Sequence, residues 1–256
     1  MQTPTFKTIK YDILGEAAWI TFNRPEVRNA LNRQMWFDIM EALKLADMNE
    51  NVRAAVLTGE GKAFSAGLDI KEMSTTRFKN LGEFLAPLLD SVETINHFSK
   101  PLIAAVNGYA YGAGFEITLL CDLVVAAESA KFAFIENRRG LLSGIAVIKL
   151  PDLIGQRLAM ELMLTGKTVT AQECYRIGLV NKVVPDAELK KATQELVDEI
   201  RKTAPLSNRL TKKLVAQKAR NIGDLWEAFN ILFHSEDVIE GFTAYLEKRE
   251  PVWKGR

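Results

Sequence analysis

Two apolar-rich runs, residues 6–13 and 17–22, flank the turn Leu14-Gly15-Glu16 and predict a β-hairpin. The period then changes. Trp36, Ile39, Leu43 and Ala46 recur at helical spacing, which predicts a helix over about 33–49 with Asn32 as its N-cap. Arg53–Thr58 is a short apolar strand ended by Gly59-Glu60-Gly61. A polar, glycine-bearing loop, Lys62–Leu68, and a helix over Leu81–Phe98 follow. Pro101–Val106 reads as a buried strand closed by Asn107-Gly108. Next come the turn GYAYGAG, a short helix Phe115–Leu120, a strand Leu123–Ala127 and a brief strand Lys131–Phe134 leading to Glu136. After about Pro185 the pattern is almost wholly helical: Ala187–Thr203, Pro205–Arg220, Leu225–Phe233 and Val238–Lys248.

Strands early and helices late predict an α/β core, 1–195, followed by a helical C-terminal region, 196–256. The strand spacing fits stacked strand–strand–helix turns, and it fits a generic α/β sheet equally well.

Composition narrows the function classes. Of 256 residues, 48% are hydrophobic and 25% charged, as in an ordinary globular protein. Thirty-three basic residues against 32 acidic ones leave no electrostatic footprint for nucleic acid. Cys121 and Cys174 are far apart, and His97 and His234 are the only histidines, which argues against a disulfide framework, a metal site or a Ser-His-Asp hydrolase. The N-terminal residues lack an apolar h-region, no run approaches the length of a membrane span, and the final WKGR is not a peroxisomal signal. The expected setting is soluble and cytoplasmic.

Candidate chemistry sits in three places. In GYAYGAGFE (108–116) a buried strand runs through small residues into a helix, whose first N–H groups are unpaired and suit an oxygen gaining negative charge. Glu116 lies three or four residues into that helix. The plain reading of it is a capping carboxylate on a tight packing turn. A dinucleotide site is the rival, with Glu128 some 20 residues beyond Gly108, but G-x-G-x-x-G is absent and the helix is too short. The earlier loop KAFSAGLDIKEM (62–73) also follows a buried strand, with Ser65 or Asp69 able to cap the next helix. Two such loops make a two-donor oxyanion hole plausible. Glu136, in FAFIENRRG, is the third element. Two carboxylates brought together can divide acid and base roles over one water, but spacing alone does not show that they meet.

At these residues the sequence resembles the enoyl-CoA hydratase/isomerase (crotonase) superfamily. The resemblance runs through FNRPEVRNALN (22–32), KAFSAGLDIKEM (62–73), residues 100–127, LTGKTVTAQECYRIGLVNKVV (164–184) and the ending SEDVIEGFTAYLEKREPVWKGR (235–256), which is similar to the close of bacterial hydratases and carnitinyl-CoA dehydratases. It implies a spiral of ββα turns with a helical C-terminal trimerisation region, and assembly as a trimer or a dimer of trimers. It implies an acyl-CoA thioester substrate, with no metal, no cofactor beyond the substrate's CoA, no nucleic acid and no membrane partner. The thioester oxygen would be held by the N–H groups of Leu68 and Ala113, the latter where most relatives carry glycine. Glu116 would activate the water that attacks Cβ, and Glu136 would protonate Cα. CoA would lie along Ser65, Ala66, Asp69, Ile70 and Lys71, with Phe229, Tyr245 and Lys248 closing over it; ordinary helix packing explains the last three equally well.

Two intact glutamates favour water chemistry over isomerisation, thioester hydrolysis or decarboxylation on the same scaffold, and over an RNA-binding relative. One segment departs from the pattern. Where common hydratases carry a Pro-Gly-x-Gly-Gly turn, Asn137–Leu150 offers only Ser143-Gly144, and Arg138-Arg139 precedes it. Either these arginines meet a carboxylate-bearing acyl group, or they form a salt-bridged or solvated surface pair.

Overall fold

A computed structural model describes residues 5–75, 81–219 and 221–256. The strands are Ile9–Leu14 (β1), Ala17–Phe22 (β2), Ala54–Gly59 (β3), Ala63–Ser65 (β4), Leu102–Val106 (β5), Tyr109–Tyr111 (β6), Leu123–Ala127 (β7), Lys131–Ala133 (β8), Val169–Thr170 (β9) and Lys182–Val184 (β10). The helices are Arg33–Met48 (α1), Ile70–Thr75 (α2), Leu81–His97 (α3), Ala113–Leu120 (α4), Gly144–Ile154 (α5), Gln156–Thr165 (α6), Ala171–Arg176 (α7), Leu189–Arg201 (α8), Pro205–Ala216 (α9), Ile222–Phe233 (α10) and Glu236–Glu247 (α11). Arg220, the last residue of one expected helix, lies outside the described residues. Among the described residues, no helix is long and apolar enough to cross a membrane.

The expected hairpin is present, with Ile9 opposite Phe22 and Leu14 opposite Ala17. From β2 onward the large sheet is parallel, in the order β1-β2-β3-β5-β7-β10. β5 is buried along its whole length, which is why LIAAV is uninterrupted by polar residues. Side chains alternate across the sheet. Trp19, Val56, Ile103, Ala105 and Val125 face Leu189, Ala192 and Val197 of α8. Ile20, Leu57, Ala104 and Val106 face the main core, which includes Trp36, Ile39 and Leu43 of α1. The sequence boundary at 195/196 thus falls within a helix that covers the sheet. Asn32 caps α1 as expected, its Oδ1 accepting from the Met35 N–H at 2.9 Å.

Three strands of the large sheet hand over to shorter ones. β3 leads to β4, β5 to β6 and β7 to β8, and β4, β6 and β8 stack in parallel as a second sheet closed by β9. A helical segment then returns the chain to the next turn. This is the stacked ββα arrangement, and the generic-sheet alternative is set aside. Its consequence for chemistry is direct: whatever follows β4, β6 and β8 is delivered to one edge, at the C-terminal ends of parallel strands.

Asn29 ties the first of these turns together. It is fully buried with φ at +55°, a conformation asparagine tolerates better than most residues. Its Oδ1 accepts from the Arg24 N–H at 2.9 Å, while its Nδ2 donates to the carbonyls of Glu60 at 3.0 Å and Ala63 at 2.7 Å. Asn29→Ala removes all three bonds and strains the backbone. We expect it to lower unfolding stability by about 2–4 kcal/mol in urea titrations; a change below about 0.5 kcal/mol would refute this role.

Candidate active site

The loop after β4 is held by the segment just before α1. The Ala66 N–H donates to the Arg28 carbonyl at 2.9 Å, the Leu31 N–H to Gly67 at 2.8 Å, and the Asp69 N–H to Leu31 at 3.0 Å. Ser65, fully buried, donates through Oγ to the Asn29 carbonyl at 2.8 Å and accepts from the Gly67 N–H at 3.1 Å. Asp69 caps α2 by accepting from the N–H groups of Lys71 and Glu72, and its other oxygen pairs with Arg24 at 3.0 Å. The amides of residues 66, 67 and 69 are thereby consumed. That of Leu68 has no acceptor among the described residues.

The turn after β6 supplies a second set of donors. Gly112, at φ +53°, bonds through its N–H to Ala133 of β8, and its carbonyl accepts from the N–H groups of Phe115 and Glu116. Ala113 and Gly114, at the start of α4, have no intrahelical acceptor for their amides. Gly67, at φ +91°, presses the first loop against this turn: a Cβ there would stand 2.7 Å from the Tyr111 carbonyl and 3.3 Å from the Ala113 nitrogen. The methyl of Ala113 is packed into the main core. The extra carbon therefore sits among apolar neighbours.

Glu116 is the fourth residue of α4, and Glu136 opens a single helical turn after β8. Both are buried, at 6% and 8% exposure, which is costly for carboxylates unless donors face them. The donors come from one place, the start of α5. Glu116 Oε1 accepts from the N–H groups of Ile145 at 2.8 Å and Ala146 at 3.1 Å, the second and third residues of that helix. Ser143 occupies the N-cap position, where a hydroxyl ordinarily accepts from those same amides. Here they are already taken by Glu116. The Ser143 hydroxyl, itself buried, instead donates to Glu136 Oε2 at 2.7 Å. The other oxygen of Glu136 lies against Gly112, where a Cβ would come within 3.0 Å of it.

These features agree with comparisons to known proteins. The profile described as enoyl-CoA hydratase/isomerase matches residues 14–256. The chain is 36% identical over 245 residues to the 2,3-dehydroadipyl-CoA hydratase of Escherichia coli, covering 93% of this chain and 94% of that one. It is 36% identical over 254 residues to the carnitinyl-CoA dehydratase of Salmonella typhimurium, covering 94% and 96%. The crystal structure of an enoyl-CoA hydratase from Bacillus anthracis superposes with a TM-score of 0.93 at 32% identity, covering 98% of this chain and all of that one. The chain belongs to the enoyl-CoA hydratase/isomerase family. The crotonase-type fold is borne out, as is an enzyme of the hydro-lyase kind.

Within this family fold, the expected site residues fall into two groups. Leu68, Ala113, Glu116, Glu136 and the loop Ser65–Lys71 gather at the edge formed by β4, β6 and β8. Ser65 is sealed inside it, while Ile70 and Lys71 are exposed. Phe229 on α10, Tyr245 on α11 and Lys248 at its end stand on exposed faces. Arg138 donates from Nε and a terminal nitrogen to the Thr165 carbonyl at the end of α6, at 3.3 and 3.1 Å, and Arg139 is exposed. That matches the surface-pair reading, with a main-chain carbonyl as Arg138's partner. Ser143 and the two amides behind it are the functional groups the sequence did not reveal. The available signal was a serine-glycine pair opening an apolar run.

Burial pushes the Glu116 carboxyl up to about 7, and repulsion from Glu136 adds to this, while the amides of Ala146 and Ile145 pull the other way. A carboxyl raised on folding contributes stability that is fully present below the ordinary carboxylate range and is lost as pH rises through about 7. Glu116→Gln removes that titration. Relative to the parent, we expect the variant to gain roughly 2–4 kcal/mol in unfolding free energy between about pH 4 and pH 8. A difference independent of pH would show that Glu116 titrates normally.

Proposed function

We propose that the chain reversibly adds water across the double bond of a 2-enoyl-CoA thioester, acting in the cytoplasm with no cofactor beyond the CoA of its substrate. The observation that carries this reading is a buried pair of carboxylates beside two main-chain amides, those of Leu68 and Ala113, that have no partner among the described residues. In this reading the two amides hold the thioester oxygen, with the dipole of α4 behind Ala113. Charge arising at Cα spreads to that oxygen. Removing one such donor typically costs about a hundred-fold or more in rate, and here the donors are main-chain.

Glu116 Oε1 is occupied by two N–H groups, so Oε2 is the oxygen that takes a proton from water as the water oxygen bonds to Cβ. A carboxyl held near 7 suits proton exchange in either direction at neutral pH. Glu136 delivers a proton to Cα and is recharged through solvent. Ser143 fixes its orientation. Two carboxylates, each with one anchored and one free oxygen, favour hydration over isomerisation, which needs one. Residues 65–71, with Phe229, Tyr245 and Lys248, would line the CoA. Exposed apolar side chains on the last two helices, among them Trp226 at 77% and Tyr245 at 83%, support assembly into trimers or dimers of trimers.

A panel of enoyl-CoA and 3-hydroxyacyl-CoA thioesters, followed through the conjugated thioester absorbance, tests the reaction. Glu116→Ala and Glu136→Ala should each lower kcat by about 10²–10⁴-fold while CoA affinity stays within a few-fold. Parent-like turnover by either variant would overturn the mechanism. Ser143→Ala should cost on the order of ten-fold in kcat with little change in KM, and Ser143→Thr should recover most of it. A loss confined to KM would remove the positioning role.

A further inference from the structure

At the strand ends opposite to Glu116 and Glu136 lies a partly open cavity of about 220 Å³. Arg53 at the start of β3, Lys100 just before β5, Arg209 on α9 and the segment Trp253–Arg256 border it. Three cationic side chains thus converge there, and none of the three has an ion pair with a carboxylate among the described residues. The nearby acids are engaged elsewhere. Glu16 pairs with Arg201 at 2.8 Å, and Glu236 with Lys254 at 2.8 Å and Arg256 at 3.1 Å. Asp237 accepts from the amides of Lys254 and Gly255, and Asp47 from Ser99. Only Glu50, exposed, shares the cavity wall.

What the cations do bond to is uncharged. Lys100 Nζ donates to the carbonyls of Ala46 and Asn49, both at 2.7 Å, and Arg53 donates to that of Thr203 at 2.8 Å. The Nε of Arg209 is sealed from solvent and has no acceptor among the described residues. A buried donor on a charged group without an acceptor is costly, and such donors are ordinarily matched. Burial brings Lys100 down to about 8, partly offset by Asp47, and lowers Arg53, partly offset by Glu16 and Asp237; repulsion from Arg209 adds to both decreases. All of these observations call for negative charge inside the cavity.

We propose that this cavity binds a compact oxyanion of the phosphate type, at a site separate from the carboxylate pair. Guanidinium groups present planar donor forks that match such oxygens. The first turn of α9, through Pro205 and Asn208, borders the cavity and turns its positive end toward it. The volume suits one tetrahedral anion with a few waters; a nucleotide is too large. The site is independent of the hydratase reading, since it shares no residue with it.

Isothermal titration of the full-length protein with inorganic phosphate, at constant ionic strength in chloride, tests the proposal. The expected result is saturable binding that Arg209→Gln weakens by at least about ten-fold. Asn208→Asp, which places a carboxylate at the wall without removing a cation, should weaken it likewise. Both variants should retain enoyl-CoA turnover. Binding of 3′,5′-ADP, a nucleotide carrying the same chemistry, should be unaffected by either variant. Absence of saturable phosphate binding, or equal affinity in the parent and both variants, would overturn the assignment.

Discussion

Everything at the site depends on how two carboxylates are kept side by side out of water. Uncompensated, such a pair is prohibitively unfavourable. The start of α5 resolves this by dividing its donors, with two main-chain amides for Glu116 and one hydroxyl for Glu136. The helix receives its N-terminal cap from another element, so its own N-cap serine is released for a different task. Structure and chemistry share the same hydrogen bonds. Both carboxyl groups are thereby held in fixed orientations.

The spiral provides the remaining geometry. Because β4, β6 and β8 are parallel and stacked, three segments distant in sequence emerge at one edge. The short segment from Arg28 to Leu31 then takes up the amides of Ala66 and Asp69 and the carbonyl of Gly67 in the first loop, while the amide of Leu68 keeps no acceptor among the described residues. This gives a physical meaning to the motif FNRPEVRNALN. Its role is to shape the loop some forty residues later, and Asn29 does most of the anchoring.

Much of this was readable from the chain and some was not, for identifiable reasons. The hairpin, the Asn32 cap, the buried strands at β3, β5 and β7 and the late helices were legible because their patterns are local. β4, β6 and β9 run to three residues or fewer and lie within or beside glycine-bearing or polar segments, where no apolar run marked them as it marked the equally short β8. The α5 stretch is apolar on several faces and contains Pro151, so no helical period stood out. The meeting of Glu116 and Glu136 was legible only through family resemblance, since neither spacing nor composition encodes which turn stacks on which. The donors to Glu116 lie 29 and 30 residues from it in sequence. Ser143 was noticed as a departure from the family turn, but its inverted hydrogen bond depends on amides being taken by a residue from elsewhere in the fold.

The described hydrogen-bond donors to the two carboxylates, and the segment that holds the first loop, lie between Arg24 and Ala146. The groups that hold the carboxylate pair are therefore encoded ahead of the whole C-terminal helical array. Substitutions in that array leave in place every described hydrogen bond to either carboxylate.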